Sequence, residues 1–176
     1  MASVYYARLV ELARQNRDYR RVVYTGQRSQ IVLMSLPPGG TIGWEQHPYV
    51  EQTFVFVSGT GAGLIGDEQY TIEPGIGMTV PPGVRHNIVN TGAELLQLFT
   101  IYAPPNHLDQ RVHPTRAAAY ADHQDAAYGA GVRERHAMNP TDSSRTAWAL
   151  VGIGISFGLV FALVAAIKPQ PQPAAP

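Results

Sequence analysis

The stretch Gly75-Ile-Gly-Met-Thr-Val-Pro-Pro-Gly-Val-Arg-His-Asn-Ile-Val-Asn90 decides the fold class of this chain. Two short apolar runs, Gly77–Val80 and Asn87–Val89, lie on either side of Pro81-Pro-Gly83. Proline and glycine make this segment a turn that fixes the entry of a strand. His86 follows the turn at the point where the second run begins.

The same pattern of short runs extends in both directions, from Val22 to Ala103. β-Branched and aromatic residues alternate there with glycine and proline, and even spacing of this kind predicts an all-β sandwich or barrel. The other runs are Gln30–Leu36, Thr53–Val57, Gly63–Ile65, Gln69–Ile72 and Leu95–Tyr102.

A polar segment, Glu45-Gln-His47-Pro-Tyr-Val-Glu-Gln52, directly precedes the run Thr53–Val57. Residues two apart in a strand share a face, so Glu45 and His47 point the same way, and His86 could point into the same interior. Mixed nitrogen and oxygen ligands suit iron, manganese, zinc, nickel or copper, and two histidines with one carboxylate also typify ferrous sites. The alternative is that both histidines are core residues of a barrel that binds no metal.

These two segments resemble the conserved motifs of the cupin superfamily. Residues 75–90 match its second motif, G-x5-P-x-G-x2-H-x3-N, and residues 40–59 resemble its first in altered form. Gly40 takes the opening glycine position, Glu45-x-His47 replaces His-x-His, and Gln52 stands where glutamate is expected. Leu9–Tyr128 is similar to small bacterial cupins labelled mannose-6-phosphate-isomerase-like, through Arg20–Gly26, Val32–Gly39, Arg85–Gly92 and Tyr102–Pro105.

The resemblance implies a mainly β fold, a cupin jelly-roll (double-stranded β-helix) barrel, with an N-terminal helix. Carried over by position, the metal ligands would be Glu45, His47, Gln52 and His86. Glu51 would replace Gln52 if the strand register differed by one, and it would be the proton acceptor if the protein were an enzyme. Cupin barrels also commonly form homodimers.

The chain divides by composition into five parts: an amphipathic helix within 1–20, the barrel at 21–105, a polar linker at 106–146, an apolar segment at 147–167, and a proline-rich tail at 168–176. An alanine-rich stretch, Arg116–Ala127, predicts a short helix within the linker. The linker histidines lack metal spacing and are expected to be solvated; they are His107, His113, His123 and His136.

Residues 147–167 predict one transmembrane helix. They carry no charge over 21 residues, about the length that spans a hydrocarbon core of roughly 30 Å. Small residues recur every fourth position and could pack against another transmembrane helix; they are Gly154, Gly158, Ala162 and Ala166.

Basic residues favour one orientation of this predicted helix. Arg133, Arg135 and Arg145 precede it, whereas Lys168 alone follows it. The flank of a transmembrane helix with more basic residues usually stays on the cytoplasmic side. We therefore expect a single-pass protein of the bacterial cytoplasmic membrane, with the barrel inside and the tail outside.

Composition excludes several classes of function. The formal net charge is +0, which disfavours nucleic-acid binding. No cysteine is present, which excludes disulfides, thiolate nucleophiles and cysteine-based metal sites. No apolar run follows a basic start at the N-terminus, so a cleaved signal peptide is not expected.

Three functions fit these features. The first, which we favour at this point, is a non-enzymatic accessory or structural subunit of a bacterial membrane complex, such as a photosynthetic or respiratory assembly. The apolar run Thr53–Val57, interpreted as facing the pocket, and the small-residue helix face support it. The others are a metal-dependent enzyme, with sugar-phosphate isomerase or dioxygenase chemistry, and a tethered ligand sensor.

Overall fold

The computed structural model describes residues 4–132 and Arg135. Within that range the chain forms nine strands and three helices. In chain order they are α1 (Leu9–Gln15), β1 (Arg20–Thr25), β2 (Gln30–Leu36), β3 (Glu51–Ser58), β4 (Gly61–Ile65), β5 (Glu68–Ile72), β6 (Gly77–Val80), β7 (His86–Asn90), β8 (Leu96–Ala103), β9 (Val112–His113), α2 (Arg116–Ala121) and α3 (His123–Ala130).

The strands form two antiparallel sheets. The larger has the order β6-β3-β8-β2-β1-β9 and the smaller β5-β4-β7. Every run that the sequence pattern predicted is a strand, with ends that differ by no more than two residues. The mainly β architecture that the sequence pattern predicted is therefore confirmed.

Apolar side chains from both sheets meet in one core. Phe54 and Phe56 on β3 are fully buried, as are Ile88 on β7 and Leu98 on β8. Strand alternation explains which side chains are buried, because β3 buries every second residue from Gln52 to Phe56. Burying side chains of this size stabilises the fold by about 1.5 to 3 kcal/mol each.

The N-terminal helix is shorter than the sequence pattern predicted. Helix α1 begins at Leu9, and residues 4–8 have no regular secondary structure. Its buried residue Ala13 packs with Leu33 and Val57 in a small separate cluster. Tyr6, which precedes the helix, is 95% exposed.

The first part of the predicted linker packs on the barrel. Asp125 on α3 is 3% exposed, and His107 and His113 are 6% and 3% exposed. The expectation that these two histidines are solvated was therefore wrong, whereas His123 is exposed. The alanine-rich stretch forms two helices, α2 and α3, and the side chains of Thr115 and Asp122 cap their N-termini.

Between residues 4 and 132, no helix is both long enough and apolar enough to cross a membrane. The predicted transmembrane segment 147–167, with its small-residue face, lies outside the described residues, as do His136 and the tail at 168–176.

Candidate metal centre

Two ligand candidates are neighbours across a backbone pairing. Glu45 and His86 exchange both backbone hydrogen bonds, each at 2.9 Å. A hydrogen-bonded pair of this kind holds two residues side by side on adjacent antiparallel segments. The chain thus places two residues far apart in sequence at one point of the barrel wall.

A one-residue bulge sets which residue faces His86. Thr41 pairs with Val89 and Glu45 with His86, so four steps along one segment match three along the other. The extra residue lies in a stretch that contains Gly43, whose φ is +88°. Glycine adopts this conformation without steric cost, and such bulges redirect side chains near functional sites.

The three residues Glu45, His47 and His86 bring one ligand atom each to within 4.8 Å of one another. Two ligands on one transition metal, with bonds of about 2.0 to 2.2 Å, are separated by roughly 3 to 4.4 Å. Gln52 Oε1 lies 3.1 Å from His86 Nε2. The structure therefore brings together all four residues that the sequence motifs selected.

The hydrogen bonds of His86 leave its Nε2 atom available to bind a metal ion. His86 Nδ1 donates to the carbonyl of Val84 at 3.0 Å. In the neutral ring this leaves a lone pair on Nε2, facing the lone pairs of Gln52 Oε1. Burial lowers the pKa of His86, so a cation between the two atoms is a better partner than a proton on Nε2.

The other two groups also suit a metal ion. His47 Nε2 is buried without a hydrogen-bond partner among the described residues, and it lies 3.4 Å from Glu45 Oε2. Burial opposes the charge of Glu45, but His47 and the Arg20 guanidinium together hold its pKa below the usual range. Imidazole nitrogens and ionised carboxylates are donors that bind transition metals. The donor set therefore fits the metal expected from the motifs.

A cavity of about 490 Å³ lies beside these ligands and is lined in part by Glu45 and His47. Its wall also includes a buried network that the sequence motifs did not reveal. Asp125 accepts hydrogen bonds from His107 Nδ1 at 2.8 Å and from Arg20 Nη1 at 3.3 Å. Asp125 also accepts from the backbone N–H of Leu108 at 2.8 Å.

The charges in this network are well defined. Burial opposes ionisation of Asp125, but His107, the Leu108 N–H and Arg20 lower its pKa to about 2. Burial of His107 lowers the pKa of its ring despite the neighbouring carboxylate. At neutral pH the network is thus an Arg20–Asp125 ion pair with a neutral imidazole.

Two sequence interpretations do not fit the alternation of β3. Gln52 is buried, whereas Glu51 is exposed and outside the cavity lining. Gln52 is therefore the better of the two candidate ligands. Val55 is half-buried between the inward-facing Phe54 and Phe56, so the run Thr53–Val57 does not face the interior along its whole length.

Comparisons with known proteins agree with this description. The Cupin domain family matches residues 32–102. The uncharacterised protein YrkC of Bacillus subtilis is 40% identical over 114 residues, which cover 61% of each chain. The uncharacterised protein L612 of Acanthamoeba polyphaga mimivirus is 36% identical over 108 residues, 59% of this chain and 68% of its own length.

Among solved structures, BH2720 of Bacillus halodurans superimposes with a TM-score of 0.66 at 34% identity, covering 66% of this chain and 93% of that one. The chain thus spans almost the whole of BH2720 but about three fifths of YrkC. On the fold, the motif geometry and these matches, the chain belongs to the cupin superfamily.

Proposed function

We propose that the barrel binds one divalent transition metal and presents it to a small molecule in the adjoining cavity. The observation that carries this proposal is the convergence of Glu45, His47 and His86 beside that cavity, with Gln52 completing the donor set. When bound, the metal would supply Lewis-acid or oxygen-activating chemistry. The protein residues would hold it and exclude water from the buried side of the site.

This proposal ranks metal-dependent binding or catalysis above a purely structural role for the barrel. A cavity of about 490 Å³ is within the range of small-molecule sites, about 300 to 1,000 Å³. Sugar-phosphate isomerisation and dioxygenation are the two reactions to screen first. The resemblance to cupins labelled mannose-6-phosphate-isomerase-like supports the former, and the two-histidine, one-carboxylate set supports the latter.

Metal analysis of the full chain tests the proposal. We expect about one transition metal per chain after native purification, or after metal-free protein is titrated separately with iron, manganese, zinc, nickel and copper. His86→Ala should abolish uptake, whereas Glu51→Gln, six residues after Glu45 at an exposed position, should retain it. A wild-type chain that folds but binds none of these metals would refute the proposal.

Membrane attachment through residues 147–167 is a separate proposal, which the uncharged 21-residue segment supports. It places the barrel on the cytoplasmic side and gives an integral membrane complex as partner. Fractionation of native cells tests it. The chain should sediment with membranes and co-migrate with partner proteins after mild detergent extraction, and Gly154→Leu with Gly158→Leu should release those partners without extracting the chain itself.

A further inference from the structure

Arg20 is a buried cation between the candidate metal ligands and the α3 network. It begins β1, and its side chain is 9% exposed. One end of the guanidinium, Nη1, lies 3.3 Å from Asp125 Oδ2, and the other, Nη2, lies 3.7 Å from Glu45 Oε1. Arg20 also lines the cavity, so a molecule held there can reach the metal ligands and the guanidinium together.

The guanidinium has hydrogen-bonding capacity to spare. An arginine carries five N–H donors. The contact from Nη2 to Glu45 is too long for a hydrogen bond, and Arg20 Nε is buried without a partner in the described part of the chain. Buried donors without partners are costly. A planar anion beside Arg20 would use this capacity.

The charges favour a ligand with a single negative charge. Of the described residues that line the cavity, Arg20 is the one arginine or lysine, and it lies between the carboxylates of Asp125 and Glu45. A divalent metal on Glu45 would bring the sum of these four charges to +1. A monoanion neutralises that sum, whereas a phosphate dianion would leave a net charge of −1 beside the two carboxylates.

The mouth of the cavity suits an apolar ligand body. Trp44, Tyr49 and Tyr120 line it, and they are 44%, 48% and 58% exposed. Exposed aromatic side chains that border a pocket gain free energy when they pack against carbon atoms of a ligand.

We propose that the cavity binds a small 2-hydroxy or 2-oxo carboxylic acid with an apolar body. Its carboxylate pairs with Arg20, its 2-oxygen reaches the metal, and its body packs against the aromatic mouth. The spacing supports this class because the guanidinium lies only 3.7 Å from a metal ligand. The inference rests on the proposed function, since the 2-oxygen needs the metal.

Calorimetric titration of the metal-loaded full chain tests this inference with three probes that share one phenyl body. Mandelate carries the carboxylate and 2-hydroxyl, mandelamide replaces the charge with a neutral amide, and phenyl phosphate carries a dianion. We expect mandelate to bind at least 10-fold more tightly than either of the others. Equal binding of mandelamide and mandelate, or tighter binding of phenyl phosphate, would overturn the inference, and the wild-type protein alone is enough to show this.

Arg20→Lys and Arg21→Lys form a matched pair for the same titration. Arg21 is the next residue on β1, and its side chain is 46% exposed and pairs with Asp18. Lysine keeps the charge but loses the planar fork, so Arg20→Lys should weaken mandelate at least 10-fold and Arg21→Lys should leave it unchanged. An unchanged affinity in folded Arg20→Lys would contradict the inference.

Metal content measured on each sample separates the two proposals. A chain that holds its metal yet does not prefer mandelate overturns the carboxylate inference alone. A chain that takes up no metal overturns both.

Discussion

Asp125→Asn is the substitution that best tests whether the segment after the barrel is part of the domain. Asp125 holds Leu108, His107 and Arg20 by three contacts of 2.8 to 3.3 Å. Its pKa falls from 3.8 to about 2 on folding. At 1.36 kcal/mol per pKa unit, this shift corresponds to about 2 kcal/mol of stability.

The expected pH dependence follows from the direction of that shift. Because folding lowers the pKa of Asp125, its contribution is fully present above the unfolded value of 3.8 and is lost as the pH falls towards 2. Asparagine cannot ionise, so the variant should lack this contribution at every pH. The stability difference from wild type should therefore be largest at neutral pH and smallest near pH 2.

Thermal melting of the full chain in mild detergent, monitored by near-ultraviolet circular dichroism, measures this difference in stability. A loss of about 2 kcal/mol should lower the melting temperature by roughly 5 to 10 °C at pH 7. Asp109→Asn is the matched control, because Asp109 is exposed. Equal melting temperatures for Asp125→Asn and wild type at pH 7 would refute the reasoning and show that the segment adds little to the fold.

Three further predictions concern the site and the anchor. Gly43→Ala should lower the free energy of unfolding by about 1 to 3 kcal/mol in thermal melting, because alanine at φ +88° is strained. The same variant should bind metal more weakly. If neither stability nor metal affinity changed, the role of the bulge would be contradicted. Phe54→Ala should lower the free energy of unfolding by about 3 to 5 kcal/mol, because Phe54 is fully buried and packs edge-on against His86, with ring centroids 5.9 Å apart. A loss below 1 kcal/mol in urea unfolding would show that the barrel collapses into the space left by the ring. Deleting residues 147–167 should move the chain from the membrane to the supernatant on centrifugation, and retention in the pellet would show that another surface binds the membrane.

The strands and the ligand set could be predicted from the sequence because both depend on local patterns. Short apolar runs mark the strands, and the spacing of Glu45, His47 and His86 marks them as candidate ligands, although no local period reveals the bulge that sets Glu45 opposite His86. Gln52 could be chosen over Glu51 by the same rule, once the phase of β3 is set by the buried Phe54 and Phe56. The same alternation contradicts the interpretation that the whole run Thr53–Val57 faces the pocket.

The network around Asp125 could not be predicted in the same way. His107 and Arg20 are polar residues that are buried because they pair across 18 and 105 positions of sequence with Asp125, and no local period marks such pairs. Two local signals were present, however. Thr115 and Asp122 are good N-cap residues, and they mark the starts of two helices where the alanine-rich composition indicated one.

The bulge at residues 41–45 also makes the metal site sensitive to chain length. If all the present residues paired in step from Thr41 and Val89, Trp44 and not Glu45 would lie opposite His86. Removing Gly43 alone would take out the extra residue and leave Glu45 opposite His86 in regular pairing. Removing a second residue as well would set Gln46 there and turn the carboxylate away from the interior, while leaving every ligand in the sequence. In related chains, a gap of two residues at this position would therefore mark a loss of metal binding that a search for the ligands themselves would overlook.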